Sequence, residues 1–246
     1  MDMEKFFCEK GVDDYAVLNV SSVDALPGVH PNDLLPGAKS IIIFAKQIPE
    51  FVFLTDCGLK TNYLHSLIKE MDRISYEFSV DLNSEGFNTI PVPCFFPIKI
   101  EDGKPNGYLS FKHLAEQAGM GSIGQNSLLI TEKYGNRLCL SGILTEKHYT
   151  AKYGTLEGSL CQKCNKCVLS CPTKAIQNGH VEATKCINLS NLIPTPVGPF
   201  VNTFAKGRRT KKYVEMIVNN VGWSADMVCS ECLTVCPFFS AISKED

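Results

Sequence analysis

Cysteine is the residue whose placing first suggests chemistry. Of the 12 cysteines in 246 residues, eight fall after position 160, and their spacing is regular. The run Cys161-Gln-Lys-Cys164-Asn-Lys-Cys167-Val-Leu-Ser-Cys171-Pro172 is C-x2-C-x2-C-x3-C-P. In such a run three closely spaced thiolates wrap one iron–sulfur cubane, and the fourth, on a turn heading away, ligates a second. The ligands left for that second cluster follow as Cys229-Ser-Glu-Cys232-Leu-Thr-Val-Cys236-Pro237, and Cys186 in Thr184-Lys185-Cys186-Ile187 supplies the missing member. The count then closes on two [4Fe–4S] clusters. One takes Cys161, Cys164, Cys167 and the crossing Cys236; the other takes Cys229, Cys232, Cys186 and the crossing Cys171. A proline follows each crossing cysteine, where a fixed φ and a missing N–H suit a sharp change of direction. Two four-cysteine zinc sites would consume the same eight thiolates, but zinc gives no reason for the triplet and its C-P ending. A redox dithiol would need one C-x-x-C pair. Cys8, Cys57, Cys94 and Cys139 are scattered singly and read as small buried hydrophobes.

Clusters carry electrons and do no substrate chemistry of their own, so the first 150 residues must hold whatever receives them. Their most suggestive segment is Gly119-Met120-Gly121-Ser122-Ile123-Gly124, which matches G-x-G-x-x-G. A dinucleotide fingerprint needs a strand before these glycines and a helix after them. Here Phe111 to Ala118 has a helical pattern and Ser127 to Thr131 a strand pattern, so the order is reversed and a nicotinamide site is not expected. What the glycines still offer is close backbone approach to a ligand.

Composition narrows the class of molecule. With 24 basic and 26 acidic side chains the formal net charge is −2, which gives no overall attraction for nucleic acid or an acidic membrane. Residues 1–150 carry 13 basic and 19 acidic side chains while 151–246 carry 11 and 7, an asymmetry that suggests two functional halves. The first residues mix acids and bases without the apolar core of a secretory signal, and no apolar run approaches the ~20 residues that span a bilayer. A cytoplasmic location follows, where unligated thiols stay reduced.

The elements that position these groups read as mixed α and β. Ser40 to Ala45 has the composition of a buried strand, and apolar residues at Leu64, Leu67, Ile68, Met71, Ile74 and Phe78 follow a helical period from Asn62 to about Leu82. Phe87 to Val92, Ser127 to Thr131 and Arg137 to Leu144 read as strands, and Ser110 to Ala118 and Arg208 to Val221 as helices. A boundary near 150–158 divides a domain over 1–155 from a cysteine-bearing domain over 156–246.

The segment from Leu114 to Ile130, with Tyr134-Gly135 and Gly142-Ile143-Leu144-Thr145, resembles the cofactor loop and following strands of epoxyqueuosine reductases and reductive dehalogenases, which also place two ferredoxin-type clusters after it. The resemblance covers about residues 85–240. It implies an α/β (α+β), nitroreductase-like N-terminal domain followed by a ferredoxin-like domain, with electrons passing from the clusters to cobalamin. By that analogy Met120, Gly121, Ser122, Gly124, Gln125, Asn126 and Ser127 lie against the cobalamin nucleotide tail, where small polar side chains can donate hydrogen bonds to phosphate and ribose. Departures are equally plain. Gln125 stands where relatives carry a basic residue, and Asn106 to Ser110 has no carboxylate where epoxyqueuosine reductases carry an acid. The sequence ends ten residues after Cys236, without the extension those enzymes use toward tRNA, so epoxyqueuosine is not the expected substrate and nucleic acid is not an expected partner.

A reductive reaction also needs a proton. Tyr63 and Tyr108 are the candidate donors, with His65 and His113 behind them as a helix-stripe neighbour and a surface or capping residue. Lys206-Gly-Arg208-Arg209-Thr-Lys211-Lys212 reads first as a solvated helix start and second as a docking patch for an acidic electron donor such as ferredoxin or flavodoxin. The leading expectation is therefore an iron–sulfur oxidoreductase that reduces a bound corrinoid. An electron carrier or activator serving a partner corrinoid protein, and an FMN-binding reductase, are the competing readings.

Overall fold

Five consecutive apolar residues, Ile41 to Ala45, can be buried only if both faces of their strand are covered, and that requirement organises the N-terminal half. In the computed structural model they lie in β2 (Ser40–Gln47), which pairs antiparallel with β1 (Asp14–Asn19) on one side and with β8 (Leu138–Thr145) on the other. The short β3 (Thr89–Val92) pairs antiparallel with the far edge of β8 and completes a four-stranded sheet of order β1-β2-β8-β3. The residues described are 2–24, 30–101, 104–152, 156, 158–177, 179–186, 210–221 and 229–240.

Alternation along β2 sends its side chains to opposite layers. Ile42 and Phe44 join Phe7 of α1 (Met3–Glu9) and Met71, Ile74, Phe78 and Leu82 of the long α3 (Cys57–Ser84). Phe7 and Phe78 stack with ring centroids 5.3 Å apart. Ile41, Ile43 and Ala45 meet Phe111, Leu114 and Ala115 of α4 (Phe111–Gln117) on the other face. Each of the buried Ile, Leu, Met and Phe side chains here contributes roughly 1.5–3 kcal/mol. Gly142 of β8 sits where a Cβ would come within 2.4 Å of the Phe111 ring, so α4 packs against the sheet at a point only glycine permits.

The helix expected from Asn62 starts five residues earlier, because Asp56 caps it by accepting from the Gly58 N–H at 2.8 Å. The strands expected at Phe87, Ser127 and Arg137 form as Thr89–Val92, Leu129–Ile130 (β7) and Leu138–Thr145. Missing from the expectation were α1 and β1, whose six residues mix polar and apolar positions without clean alternation. All named strand pairs are antiparallel, which makes the N-terminal half α+β. Two small hairpins flank this layer: β4 (Lys99–Glu101) with β5 (Lys104–Asn106), and β6 (Ser122–Ile123) with β7.

Short elements carry the cysteines. They are α5 (Lys166–Ser170), a hairpin of β9 (Ile176–Gln177) and β10 (His180–Val181), α6 (Ala183–Cys186), α7 (Lys211–Val221) and α8 (Glu231–Thr234). Among the described residues no helix is long and apolar enough to cross a membrane. The expected boundary falls partly on 153–155 and 157, and most of the basic segment falls on 206–209, outside the described residues.

Candidate metal centre and the loop that closes it

Three thiols converge between Cys161 and Cys167 because the chain there bends through conformations that side chains rarely adopt. Lys163 (φ 51°) and Asn165 (φ 61°) are both left-handed, and Asn165 starts α5. The bend wraps the backbone around a cavity, partly open to solvent, lined by Cys161, Cys164 and Cys167. The same cavity is lined by Cys236, 69 residues beyond Cys167, together with Pro237 and Phe238. The sequence-derived crossing thus brings the fourth thiol to the first three.

Electrostatics sorts the second set. Burial pushes the Cys186 thiol up, and Cys229 and Cys171 push it further. Burial likewise carries Cys232 up to about 12, with Cys186 and Cys229 the largest of the neighbouring contributions. Cys236 is raised by burial and then, against donors that lower it, by Cys164 and Cys161. These influences bring Cys186, Cys229 and Cys171 near Cys232, and Cys161 and Cys164 near Cys236. Cys167 also acts on Cys232, so the two sets adjoin. Cys171 runs the other way: burial opposes ionisation, but the Ala175 N–H donates to its sulfur at 3.2 Å and Thr173 adds hydrogen bonds, so its thiol is lowered. Cys164, Cys186 and Cys229 are exposed and the other five half-buried, and thiolates gathered this closely would be neutralised by a cationic core. Four cysteines lining one cavity fit a [4Fe–4S] cluster in this respect. Among the described residues, no three His, Cys, Asp or Glu side chains close on a single ion position.

The remaining wall of the first cavity is the glycine loop, through Gly124, Gln125, Asn126 and Ile130. As expected, α4 precedes this loop and a strand, β7, follows it, while β6 lies within the loop and pairs with β7. Its glycines answer to the protein itself, which corrects the expectation that they make room for a ligand. A Cβ on Gly121 would stand 2.1 Å from the Ile130 carbonyl oxygen, and one on Gly124 would stand 2.9 Å from Asn126 Oδ1. Only backbone without side chains lets β6 and β7 close on each other here.

The loop's polar side chains are occupied as well. Ser122 Oγ accepts from the Leu160 N–H at 2.8 Å, just before the first cysteine. Asn126 Nδ2 donates to the Cys232 carbonyl at 3.0 Å. Ser127, held at φ 61°, receives the Lys112 ammonium on its hydroxyl and its carbonyl. Met120, Ser122 and Asn126 are buried. Gln125 differs, since its Oε1 is buried with no hydrogen-bond partner, beside the thiols of the first cavity. Asn136 and Arg137, which sequence reasoning passed over, continue the clasp. Asn136 Nδ2 reaches the Leu233 carbonyl at 3.0 Å, and buried Arg137 donates to the carbonyls of Phe239 and Ile48, each at 2.6 Å. The available signal was the polar pair Asn136-Arg137 placed immediately before the apolar strand that begins at Leu138.

The two candidate proton donors lie on different elements. Tyr63 is on α3 with 37% exposure, three residues from Lys60, whose Nζ donates to Ser230 Oγ at 3.3 Å. Tyr108 precedes α4, partly buried, with the Lys99 ammonium 4.4 Å from its ring centroid. His113 Nδ1 pairs with the Ser110 hydroxyl at the start of α4, side chain to side chain, and Ser110 makes no side-chain cap to the helix backbone. His65 lies on α3.

Residues 160–239 match the family model described as a 4Fe-4S double cluster binding domain, so the cysteine half is an iron–sulfur module of that type. The chain is similar in sequence to curated epoxyqueuosine reductases. That of Atelocyanobacterium thalassa is 32% identical over 141 residues, covering 56% of this chain and 40% of the relative; that of Bacillus cereus is 26% identical over 209 residues, covering 85% and 50%. The chain therefore spans about half the length of the curated relatives it matches. Its fold resembles an epoxyqueuosine reductase solved with an epoxyqueuosine-modified tRNA-Tyr stem loop (TM-score 0.61, 21% identity, 96% of this chain and 64% of that one). It also resembles a reductive dehalogenase described as acting by B12-dependent dehalogenation (TM-score 0.53, 10% identity, 86% and 34%).

Proposed function

We propose that this chain is an iron–sulfur oxidoreductase of epoxyqueuosine reductase type, with a nitroreductase-like domain over 1–155 and a ferredoxin-like domain over 156–246. Cys161, Cys164, Cys167 and Cys236 hold one [4Fe–4S] cluster, and Cys171, Cys186, Cys229 and Cys232 hold the other. The observation that carries this reading is the single cavity shared by Cys161, Cys164, Cys167, Cys236 and the glycine loop. On this reading one cluster would stand against the N-terminal layer, and electrons would leave the module beside Gly124 to Asn126.

The receiving group proposed is a corrinoid, supported by the resemblance and by the B12-dependent dehalogenase of like fold. When bound, it would supply a cobalt centre that accepts electrons from the clusters and reduces substrate. The chain's own part would be to hold it by loop backbone, since Ser122, Asn126 and Ser127 already have protein partners and Gln125 alone keeps a buried oxygen unpaired. Tyr63 and Tyr108 are the residues proposed to supply a proton. Epoxyqueuosine in tRNA is the first substrate to test, because the curated relatives carry that name and one solved relative holds such a stem loop. Those relatives stand against the composition-based expectation that nucleic acid is not a partner.

The occupied loop side chains favour a second reading, in which the module feeds electrons to a partner corrinoid protein. Anaerobic purification and reconstitution, with iron, sulfide, cobalt and flavin counted per chain, tests both. Iron of about eight with cobalt of about one, and a base-off corrinoid spectrum, supports the first. Iron of about eight without cobalt, with turnover only when a corrinoid protein is added, supports the second. Flavin released by acid would replace the corrinoid by FMN. Zinc in place of iron would end all three.

A further inference from the structure

Two of the four cysteines outside the cluster motifs have found each other. Cys94 follows β3, Cys139 lies in β8, and their sulfurs are 3.4 Å apart although 45 residues separate them. The pairing follows from register: Val92 sits opposite Gly142, so a step of two along each strand brings Cys94 beside Leu140, next to Cys139. The expectation that these two cysteines are isolated buried hydrophobes is thereby corrected.

Their surroundings hold the pair in place. The Cys94 N–H donates to Asp72 Oδ1 of α3 at 2.8 Å, and its thiol donates to the Leu140 carbonyl at 3.2 Å, which leaves the Cys139 thiol to donate to the Cys94 sulfur. Both residues pack against the α1–α3 side of the sheet and keep partial exposure. A disulfide needs its sulfurs about 2.05 Å apart, so closure asks for an approach of only about 1.4 Å from the 3.4 Å seen.

We propose that Cys94 and Cys139 form a reversible dithiol–disulfide site, chemically separate from the clusters, that reacts with small-molecule disulfides. In the first step the Cys139 sulfur attacks one sulfur of R–S–S–R; a Cys139–S–S–R bond forms, the S–S bond of the reagent breaks, and R–SH leaves with the Cys139 proton. In the second, Cys94 displaces R–S from Cys139, its proton leaves on a second R–SH, and the Cys94–Cys139 bond is made. Two protein thiols are oxidised and one small disulfide is reduced. Entry falls to Cys139 because the nearness of Cys139 and burial keep Cys94 protonated. The disulfide would draw the segment after β3 onto β8. That segment runs on to Ile98, whose N–H and carbonyl are both bonded to the Asn219 side chain of α7 at 2.8 and 3.1 Å, so the site sits on a link between the sheet and the cysteine-bearing half.

The test uses the anaerobic holoprotein exposed to 2-hydroxyethyl disulfide, blocked with N-ethylmaleimide before unfolding, digested with trypsin and read by mass spectrometry. The expected result is loss of two maleimide-reactive thiols per chain and a joined pair of peptides, 74–99 and 138–147, that dithiothreitol separates. Cys139→Ser should remove the joined peptide and leave Cys94 labelled. Should that variant not fold, formation and reversal of the link in the unsubstituted protein decide the matter. Full maleimide labelling of both cysteines after exposure, or a small thiol retained on Cys139, would overturn the proposal. The peptides report on this pair whether or not the cluster assignments hold.

Discussion

Replacing Gly121 by alanine separates a glycine kept for packing from one kept for a ligand. The added Cβ would lie 2.1 Å from the Ile130 carbonyl oxygen, 2.9 Å from its carbon and 3.1 Å from Thr131 Cγ2. No flexible side-chain end is involved in the two shortest contacts, so backbone must move by about 1 Å to restore ordinary separation. The β6–β7 pairing of Ser122 with Ile130 is what would have to open. Overpacking of a fitted site costs typically 1–3 kcal/mol, and with the resisting atoms in backbone we expect about 3 kcal/mol. For a chain of this size each kcal/mol moves the melting midpoint by roughly 2–4 °C, giving a fall of about 6–12 °C. The assay is anaerobic thermal unfolding followed by near-ultraviolet circular dichroism, with no cofactor added, and iron per chain measured on the same sample. Opening of the hairpin displaces Gly124 to Asn126 from the first cavity, so iron retention should fall as well. A midpoint within about 1 °C of the unsubstituted protein would refute the packing argument and return Gly121 to the role of making room for a ligand.

Further expectations follow from single contacts. Cys236→Ser should halve the iron, from about eight to about four per chain, with loss of one cluster's spin-resonance signal, because it removes the crossing ligand of the cavity it shares with Cys161, Cys164 and Cys167. Arg137→Met leaves the carbonyls of Phe239 and Ile48 without their donor and should cost about 3 kcal/mol in urea unfolding, with faster proteolysis near Phe239. Phe44→Ala empties the packed layer between β2 and α3 and should destabilise by about 3–5 kcal/mol in the same assay. Asp72 is held above its ordinary value of 3.8 by burial, partly offset by the Cys94 N–H. The folded state therefore keeps this proton longer than the unfolded state, and its contribution to stability declines as pH rises from 3.8 through the raised value, then levels off. Asp72→Asn should flatten that part of the stability profile; an unchanged profile would show that Asp72 does not cause it.

Spacing alone singled out Cys161, Cys164, Cys167 and Cys236 as a set, and these four line one cavity. Three thiols with two residues between each can face one centre only by wrapping it, and a fourth followed by a proline turns away, which is why the spacing predicts that Cys171 and Cys236 exchange partners. Periodicity was similarly informative for α3 and for β2, where Ile41 to Ala45 demands cover on both faces. It failed for β1, because an edge strand of mixed residues is specified by the partner it finds and not by its own pattern. The glycine loop shows a different limit. Its residue types fit a ligand cradle as well as a tight hairpin, and only the 2.1 Å approach of a Gly121 Cβ to Ile130 decides for the hairpin.

What the sequence determined by itself was local: which thiols act together, which segments coil or extend, and that no strand–glycine–helix unit is present at 119–124. The tertiary structure decided everything that depends on residues far apart in the chain. Cys94 and Cys139 become a pair only through the register of β3 on β8. Ser122, Asn126, Asn136 and Arg137 become a clasp only because the cysteine-bearing segments return to the loop. The physical reason is that spacing constrains geometry over a few residues, where the backbone has few choices, whereas meetings across 40 or 100 residues are chosen by the packing of the whole core.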